Sequence, residues 1–119
     1  PRMTSEGTMK FGILITSGVE QRDLYTASRL AQAALNEGHL VRLFVMGDGV
    51  QHLADHPKNP WLQDLRRLLD SGVEVACCAV ASELRGLTID RLVQGVRWGS
   101  QYDHARIVNW SDRYLAFCP

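Results

Sequence analysis

The chain has 119 residues, enough for one domain of common size but too few for a second hydrophobic core. Its composition, 45% hydrophobic and 22% charged, is that of a globular protein, and its 13 basic and 13 acidic side chains cancel. Without a basic excess or a Lys/Arg run, the sequence gives no support to direct nucleic-acid binding or to attachment to a membrane.

Residues 1–8 are polar, so we expect a disordered lead or tag remnant rather than a signal peptide, followed by a single domain over residues 9–119. No apolar run approaches the length of a membrane span. Three cysteines do not form the disulfide framework of a small secreted domain. These features favour a cytoplasmic protein.

The first half of the chain predicts a strand–helix–strand unit. Residues 10–16 form a near-continuous apolar run that is typical of a strand buried on both faces, and Ser17-Gly18 ends it. From Asp23 the apolar residues recur at helical spacing until Gly38, a plausible residue just past a helix end. Residues 40–46 predict a second strand. The joints are short, so the two strands should be parallel.

The second half continues the alternation. Asn59-Pro60 predicts a helix start, with Asn59 as the N-cap, and residues 73–78 predict a third strand. Residues 82–86 and 89–98 resemble short helices, residues 105–110 fit either a helix or a strand, and residues 114–117 predict a final strand. The chain therefore predicts an α/β fold: a three-layer α/β/α arrangement around a mostly parallel sheet of about five strands.

The most informative segment is the cysteine pair at the end of the third predicted strand. Ligands of open parallel sheets bind outside the carboxyl ends of the strands, and neighbouring strand residues point to opposite faces. Only one of the two thiols should therefore face the ligand-binding cleft at this edge. Cys78 lies closer to the next helix, whose N–H groups would stabilise a thiolate, so it is the candidate reactive residue. The alternative, that Cys77 and Cys78 both pack in the core, stays open.

Other polar residues give weaker signals. Cys77, Ser82 and Arg85 are candidate supporting residues, although for Arg85 a solvated helix face is the preferred interpretation. The four histidines lack metal-ligand spacing, and His52 and His56 are read as a solvated loop pair. The Ser17-Gly18 turn lacks the glycine pattern of a dinucleotide site, so we predict neither a metal nor a cofactor.

Several segments together resemble the DsrE/DsrF-like family of small sulfur-trafficking proteins, in particular its DsrE and TusD branch. The resemblance covers nearly all of residues 9–117 and depends on the order of short elements along the chain. These elements are Ile13-Leu14-Ile15-Thr16, Glu37-Gly38-His39, Asp48-Gly49-Val50, Cys78 followed by Leu84-Arg85-Gly86, and Ser111-Asp112-Arg113 before Phe117.

The resemblance implies a DsrEFH-like, Rossmann-like fold and a sulfur-relay function. The family cysteine maps onto Cys78, which would carry sulfane sulfur as a persulfide, so the protein would be a sulfur carrier more than a multiple-turnover enzyme. It implies sulfur donor and acceptor proteins as partners, and a trimer or hexamer, homomeric or with related subunits. The alternatives are a non-catalytic oligomeric or regulatory subunit and a small-ligand or nucleotide-binding module.

Overall fold

A computed structural model of the chain describes residues 7–119. In this part of the chain five strands form one sheet: β1 (Lys10–Ile15), β2 (Leu40–Val45), β3 (Glu74–Cys78), β4 (Arg97–Gly99) and β5 (Arg113–Phe117). The α-helices are α1 (Asp23–Asn36), α2 (Leu62–Asp70), α3 (Ala79–Leu84) and α4 (Gln101–Trp110), and 3₁₀ helices cover Gly47–Leu53 and Ile89–Arg91.

The strand order is β4-β3-β2-β1-β5, and every neighbouring pair is parallel. The chain steps in one direction from β1 to β4, so right-handed crossovers place α1, α2 and α3 on one face of the sheet. The connection from β4 to β5 runs in the opposite direction and places α4 on the other face. The predicted three-layer α/β/α architecture is therefore confirmed, with a sheet that is entirely parallel among the described residues.

The core lies between the sheet and the helices on both faces. Ile13, Ile15, Phe44 and Val45 of the two central strands are at most 1% exposed, because helices cover these strands on both sides. Gly12 lets α4 approach β1 closely: a Cβ atom there would overlap the Ser111 hydroxyl and lie 2.8 Å from the Tyr114 ring. The two central strands therefore correspond to the near-continuous apolar runs of the sequence, as predicted.

Helix ends follow the sequence signals in one case and depart from them in another. Gly38 follows α1 with φ of +86°, which confirms the predicted helix end. The predicted start of the second helix at Asn59-Pro60 is early, since α2 begins at Leu62. Asn59 caps a turn instead: its side-chain oxygen accepts from the Trp61 N–H and its amide donates to the carbonyls of His52 and Ala54.

The segment after β3 differs most from the prediction. Helix α3 begins at Ala79, directly after the strand, rather than at residue 82. The predicted helix over residues 89–98 is wrong: this segment forms a single 3₁₀ turn and the strand β4. Backbone pairing of Arg97, Trp98 and Gly99 with β3 supplies the hydrogen bonds that a helix would have needed.

Two other expectations concern the chain ends and membrane insertion. The polar lead over residues 1–8 falls mostly on residues 1–6, which lie outside the described residues; the Thr8 hydroxyl donates to the Gly38 carbonyl. Within residues 7–119, none of the helices has the length and apolarity needed to cross a membrane.

Candidate functional site

Cys78 lies at the carboxyl edge of the sheet, on the face covered by α4. The pairing of Phe44 with Ala76 fixes this face, because the Phe44 ring stacks on His104 of α4 at 4.7 Å between ring centroids. Two residues further along β3, Cys78 points to the same face, where it pairs with Gly99 of β4. The residue as a whole is 9% exposed, so Cys78 is largely buried at this edge.

Cys77 points to the opposite face, as the sequence predicts for neighbouring strand residues. It pairs with Val45 and Trp98 and is 0% exposed. Burial raises the pKa of the Cys77 thiol, and the nearby Ser82 hydroxyl and Gly99 backbone offset this only in part. A thiol with a raised pKa and no access to solvent is a poor nucleophile, so Cys77 has the properties of a small packed residue.

Helix α3 begins immediately after Cys78, but it is short. It has six residues, and the Cys78 side chain makes no capping hydrogen bond to its backbone. Ser82, a predicted supporting residue, is 0% exposed and lies on the Cys77 side, where its hydroxyl forms no hydrogen bond of good geometry with a described residue. Ser82 therefore does not contribute to the surroundings of Cys78 as a donor.

Arg85 directly follows α3 and forms an ion pair with Asp48 of the 3₁₀ helix Gly47–Leu53. Its guanidinium donates to Asp48 Oδ1 from Nε at 3.0 Å and from Nη2 at 2.8 Å, and to the Ala81 carbonyl at 2.9 Å. The interpretation of Arg85 as part of a solvated face is thus incomplete. Sequence reasoning missed Asp48, although its place directly after the second predicted strand puts it at the edge where ligands bind.

The loop from β1 to α1 forms another part of the edge and is fixed by buried polar groups. The Ser17 hydroxyl donates to Asp23, and His52 Nε2 donates to the Ser17 carbonyl at 2.9 Å. The prediction that His52 is a solvated loop residue is wrong, because its side chain is 0% exposed. Its neighbours Val50 and Leu53 are buried too, and this apolar flanking was the available signal.

His56, in contrast, is exposed as predicted. Burial lowers the pKa of His52 below its usual value, although the charges of Asp23 and Glu20 act in the other direction.

A polar chain crosses the α4 face beside Cys78. His104 Nδ1 lies 2.9 Å from Gln101 Oε1, its Nε2 contacts the Tyr114 hydroxyl, and the Gln101 amide reaches Met46 Sδ at 3.6 Å. Met46 follows Val45, the partner of Cys77, at the carboxyl end of β2. Burial lowers the pKa of His104 and raises the pKa of Tyr114 to about 12.

Residues 7–119 contain no group of three or more His, Cys, Asp or Glu side chains placed to hold a metal ion. Cys118, just after β5, is exposed and unpaired. Exposed apolar side chains occur on the two helices that follow β3 and β4: Val80 is 64% and Leu84 78% exposed on α3, and Tyr102 is 89% exposed at the start of α4. The candidate site is therefore one largely buried thiol at the carboxyl edge of the sheet, where α3 begins and where the Arg85–Asp48 ion pair joins neighbouring segments.

Known proteins are similar to this chain in sequence and in fold. The DsrE/DsrF-like family profile matches residues 9–117. An uncharacterized protein of Methanopyrus kandleri is 33% identical over 123 residues, covering 96% of this chain and 98% of the relative, and one of Methanocaldococcus jannaschii is 30% identical, covering 92% of this chain and 100% of the relative.

Among solved structures, the ychN protein from E. coli superposes with a TM-score of 0.81 and 26% identity, over 92% of this chain and 99% of that one. A protein of unknown function from Methanobacterium thermoautotrophicum shares the fold alone, with a TM-score of 0.70 and 19% identity over 93% of this chain and 99% of that one. The chain therefore belongs to the DsrE/DsrF-like family, and this membership suggests a role related to sulfur relay.

Proposed function

We propose that this protein carries sulfane sulfur as a persulfide on Cys78 and passes it to a partner protein. The observation that carries the proposal is the different placement of two adjacent thiols. Cys78 reaches the carboxyl edge and retains 9% exposure, whereas Cys77 is fully buried on the opposite face. The carboxyl edge is where parallel sheets bind their ligands, so a thiol there is placed for chemistry.

The transfer needs only thiol chemistry. The Cys78 thiolate attacks the outer sulfur of a donor persulfide, an S–S bond forms at Cys78, and the donor's S–S bond breaks to release the donor thiolate. A partner thiolate then attacks the outer sulfur on Cys78 in the same way and regenerates the Cys78 thiolate. One sulfur atom moves in each step, no electrons are gained or lost overall, and no metal or cofactor takes part.

The surroundings of Cys78 fit a sulfur carrier that exchanges with proteins. A recessed thiol protects a persulfide from small reductants in the cytoplasm, the proposed location. The exposed side chains of Val80 and Leu84 on α3, which begins directly after Cys78, and of Tyr102 on α4 offer apolar contacts to a partner. We propose that sulfur donor and acceptor proteins, or further subunits of a trimer or hexamer, contact this surface. Such a protein acts as a carrier, not as an enzyme that turns over small substrates.

The test is sulfur loading measured by intact-protein mass. After incubation with a persulfide donor, protein that carries Cys118→Ser, and so lacks the exposed thiol after β5, should gain the mass of one sulfur atom, and dithiothreitol should remove it. The two further variants are made in this background. Cys77→Ser is the matched control and should still load, whereas Cys78→Ser should not. Loading of Cys78→Ser at the wild-type level, with loss in Cys77→Ser, would contradict the assignment.

A second candidate, a non-catalytic oligomeric or regulatory subunit, is favoured by one observation: both thiols belong to the hydrophobic core cluster. The rate of alkylation by iodoacetamide in the native protein separates the two functions. Modification of Cys78 well before Cys77 supports the carrier. Equal resistance of both thiols until the protein unfolds supports a packing role.

A further inference from the structure

A side-chain bridge crosses the end of β3 on the face of Cys78, and the sulfur transfer described above does not use it. Gln101, the first residue of α4, donates from its amide to Met46 Sδ at 3.6 Å. Gln101 comes two residues after Gly99, the last residue of β4, and Met46 directly follows Val45, the last residue of β2. Since β3 lies between β4 and β2, a contact that joins the ends of these two strands passes across the end of β3.

The strand pairing brings this bridge to the level of Cys78. On one side, Cys78 pairs with Gly99 of β4, a residue without a side chain that could shield it. On the other side, Cys77 pairs with Val45 of β2. Met46 and Cys78 therefore each follow this pair by one residue. The strands β2 and β4 are about 10 Å apart, two strand spacings, and the long side chains of glutamine and methionine span this gap from both sides.

The bridge lies on the face to which Cys78 points. The Gln101 amide oxygen accepts from His104 Nδ1 at 2.9 Å, and the His104 ring stacks on Phe44 on the α4 face. The extended backbone of Met46, with φ of −145° and ψ of 178°, continues the alternation of β2 and turns its side chain to the same face as Phe44. The pairing of β2 with β3 places Cys78 on this face too.

A chain of hydrogen bonds fixes the orientation of the Gln101 amide. The Tyr114 hydroxyl donates to His104 Nε2, so the neutral ring carries its proton on Nδ1 and donates it to Gln101 Oε1. With its oxygen held by His104, the amide presents its nitrogen to Met46 Sδ. The position of Gln101 over the end of β3 is therefore set by contacts with its own helix and with the neighbouring strands.

The bridge fits the low exposure of Cys78 and can open at low cost. Cys78 ends its strand beside a glycine, yet the residue is only 9% exposed. A thioether sulfur is a weak hydrogen-bond acceptor, so the contact with Met46 adds little stability. Gln101 is exposed, so its side chain can rotate into solvent without a movement of α4.

We infer that Gln101 is a gate for Cys78: closed against Met46 it covers the thiol, and rotated outward it admits the thiol of a partner protein. The inference rests on the proposed function, since control of access matters only for a thiol that reacts. Gln101 neither gives nor takes a proton in the transfer; it shields the persulfide from small thiols such as glutathione. Tyr102, the next residue, is 89% exposed, so a partner that contacts the start of α4 can displace the gate.

The test is the rate at which iodoacetamide alkylates Cys78 in the native protein, in a Cys118→Ser background, with the modified residue identified by peptide mass spectrometry. Gln101→Ala should speed this alkylation by about three- to tenfold, the change that corresponds to one typical net hydrogen bond. Gln94→Ala, at an exposed glutamine before β4, is the matched control and should leave the rate unchanged. Cys77, fully buried on the opposite face, should stay unmodified in each variant.

Two further measurements separate a gate from a general loosening of the structure. Met46→Leu keeps an apolar side chain but removes the sulfur acceptor, so it should speed alkylation by a smaller factor. Adding it to Gln101→Ala should give no further increase, because both changes open the same bridge. In sulfur-loaded protein, Gln101→Ala should lose its sulfur to glutathione faster, as the glutathione thiolate attacks the outer sulfur and releases the Cys78 thiolate.

Three outcomes would overturn the inference: alkylation of Cys78 at an unchanged rate in Gln101→Ala, an equal increase in Gln94→Ala, or modification of Cys77 that rises in parallel and so indicates unfolding. The outcome for the proposed function stays separate. Absence of sulfur loading, together with faster alkylation of Cys78 in Gln101→Ala, would contradict the carrier and support the gate. Normal loading with unchanged alkylation and unchanged loss to glutathione would contradict the gate alone.

Discussion

Lowering the pH from 7.5 to 5.5 should destabilise the protein through His52. The Nε2 atom of His52 donates to the Ser17 carbonyl, so the neutral ring carries its lone pair on Nδ1. This Nδ1 is buried and has no hydrogen-bond partner among the described residues. Protonation would create a buried charged donor without an acceptor, and burial accordingly lowers the pKa of His52 in the folded state.

The sign and the upper limit follow from proton linkage. An unfolded histidine has a pKa of about 6.5, so the unfolded state binds the extra proton first as the pH falls below that value. The stability contributed by the depressed pKa is therefore present above pH 6.5 and is lost as the pH falls. One histidine changes the free energy of unfolding by at most about 1.4 kcal/mol per pH unit below its unfolded pKa. Only the unit from about pH 6.5 to 5.5 lies below that pKa, so the limit between pH 7.5 and 5.5 is about 1.4 kcal/mol.

Burial also lowers the pKa of His104, so its contribution has the same sign and the same limit. The two histidines together set an upper limit of about 2.8 kcal/mol over this range. His104 lies on the α4 face, away from His52, so the two contributions should be independent.

The assay is urea unfolding of wild type, His52→Gln and His56→Gln at pH 7.5, 6.5 and 5.5. Glutamine at position 52 can still donate to the Ser17 carbonyl but does not titrate, so His52→Gln should lose its share of the pH dependence. His56 is four residues away and exposed, and His56→Gln should keep the wild-type dependence. If His52→Gln keeps the full dependence, or His56→Gln loses as much, the reasoning about the buried Nδ1 is refuted.

Two further substitutions test the packing of the two layers. Gly12→Ala should lower the free energy of unfolding by roughly 1–3 kcal/mol, because the new Cβ would overlap the Ser111 hydroxyl and crowd the Tyr114 ring. Urea unfolding measures this loss, and an unchanged stability would show that α4 can shift without cost. Trp61→Phe removes the 2.9 Å hydrogen bond from Trp61 Nε1 to the Val19 carbonyl, so it should lower the free energy of unfolding by about 1 kcal/mol and speed amide hydrogen exchange in the β1–α1 loop. Unchanged exchange would mean that this bond does not hold the loop.

The elements that short-range sequence features mark, such as an apolar run or a glycine after a helix, were predicted correctly. The strands β1, β2 and β3 coincide with apolar runs, and the end of α1 coincides with Gly38, because these features act within a few residues. The start of α4 also had a local signal that the sequence reading missed. Ser100 and Asp103 form a capping box, in which each side chain accepts from the backbone near the other.

Other features depend on contacts between distant residues and could not be read from local patterns. β4 has only three residues, one of them glycine, and is a strand because β3 provides its hydrogen-bond partners. Arg85 is 37 residues from Asp48, and no spacing rule links the two. The hydrogen bond from His52 to the Ser17 carbonyl likewise joins residues that are 35 positions apart, although the apolar neighbours Val50 and Leu53 gave a local signal for the burial of His52.

The cysteine pair shows what the alternation of side chains along a strand can predict about the candidate site. Alternation along β3 predicted that Cys77 and Cys78 lie on opposite faces, and the pairing of both with β4 confirms it. Alternation alone does not say which helices cover each face. The crossover from β4 to β5 decides that, because it places one helix, α4, over the Cys78 face while the other helices cover the Cys77 face. Both cysteines are buried, and the small difference between 0% exposure for Cys77 and 9% for Cys78 accompanies this difference in the covering helices.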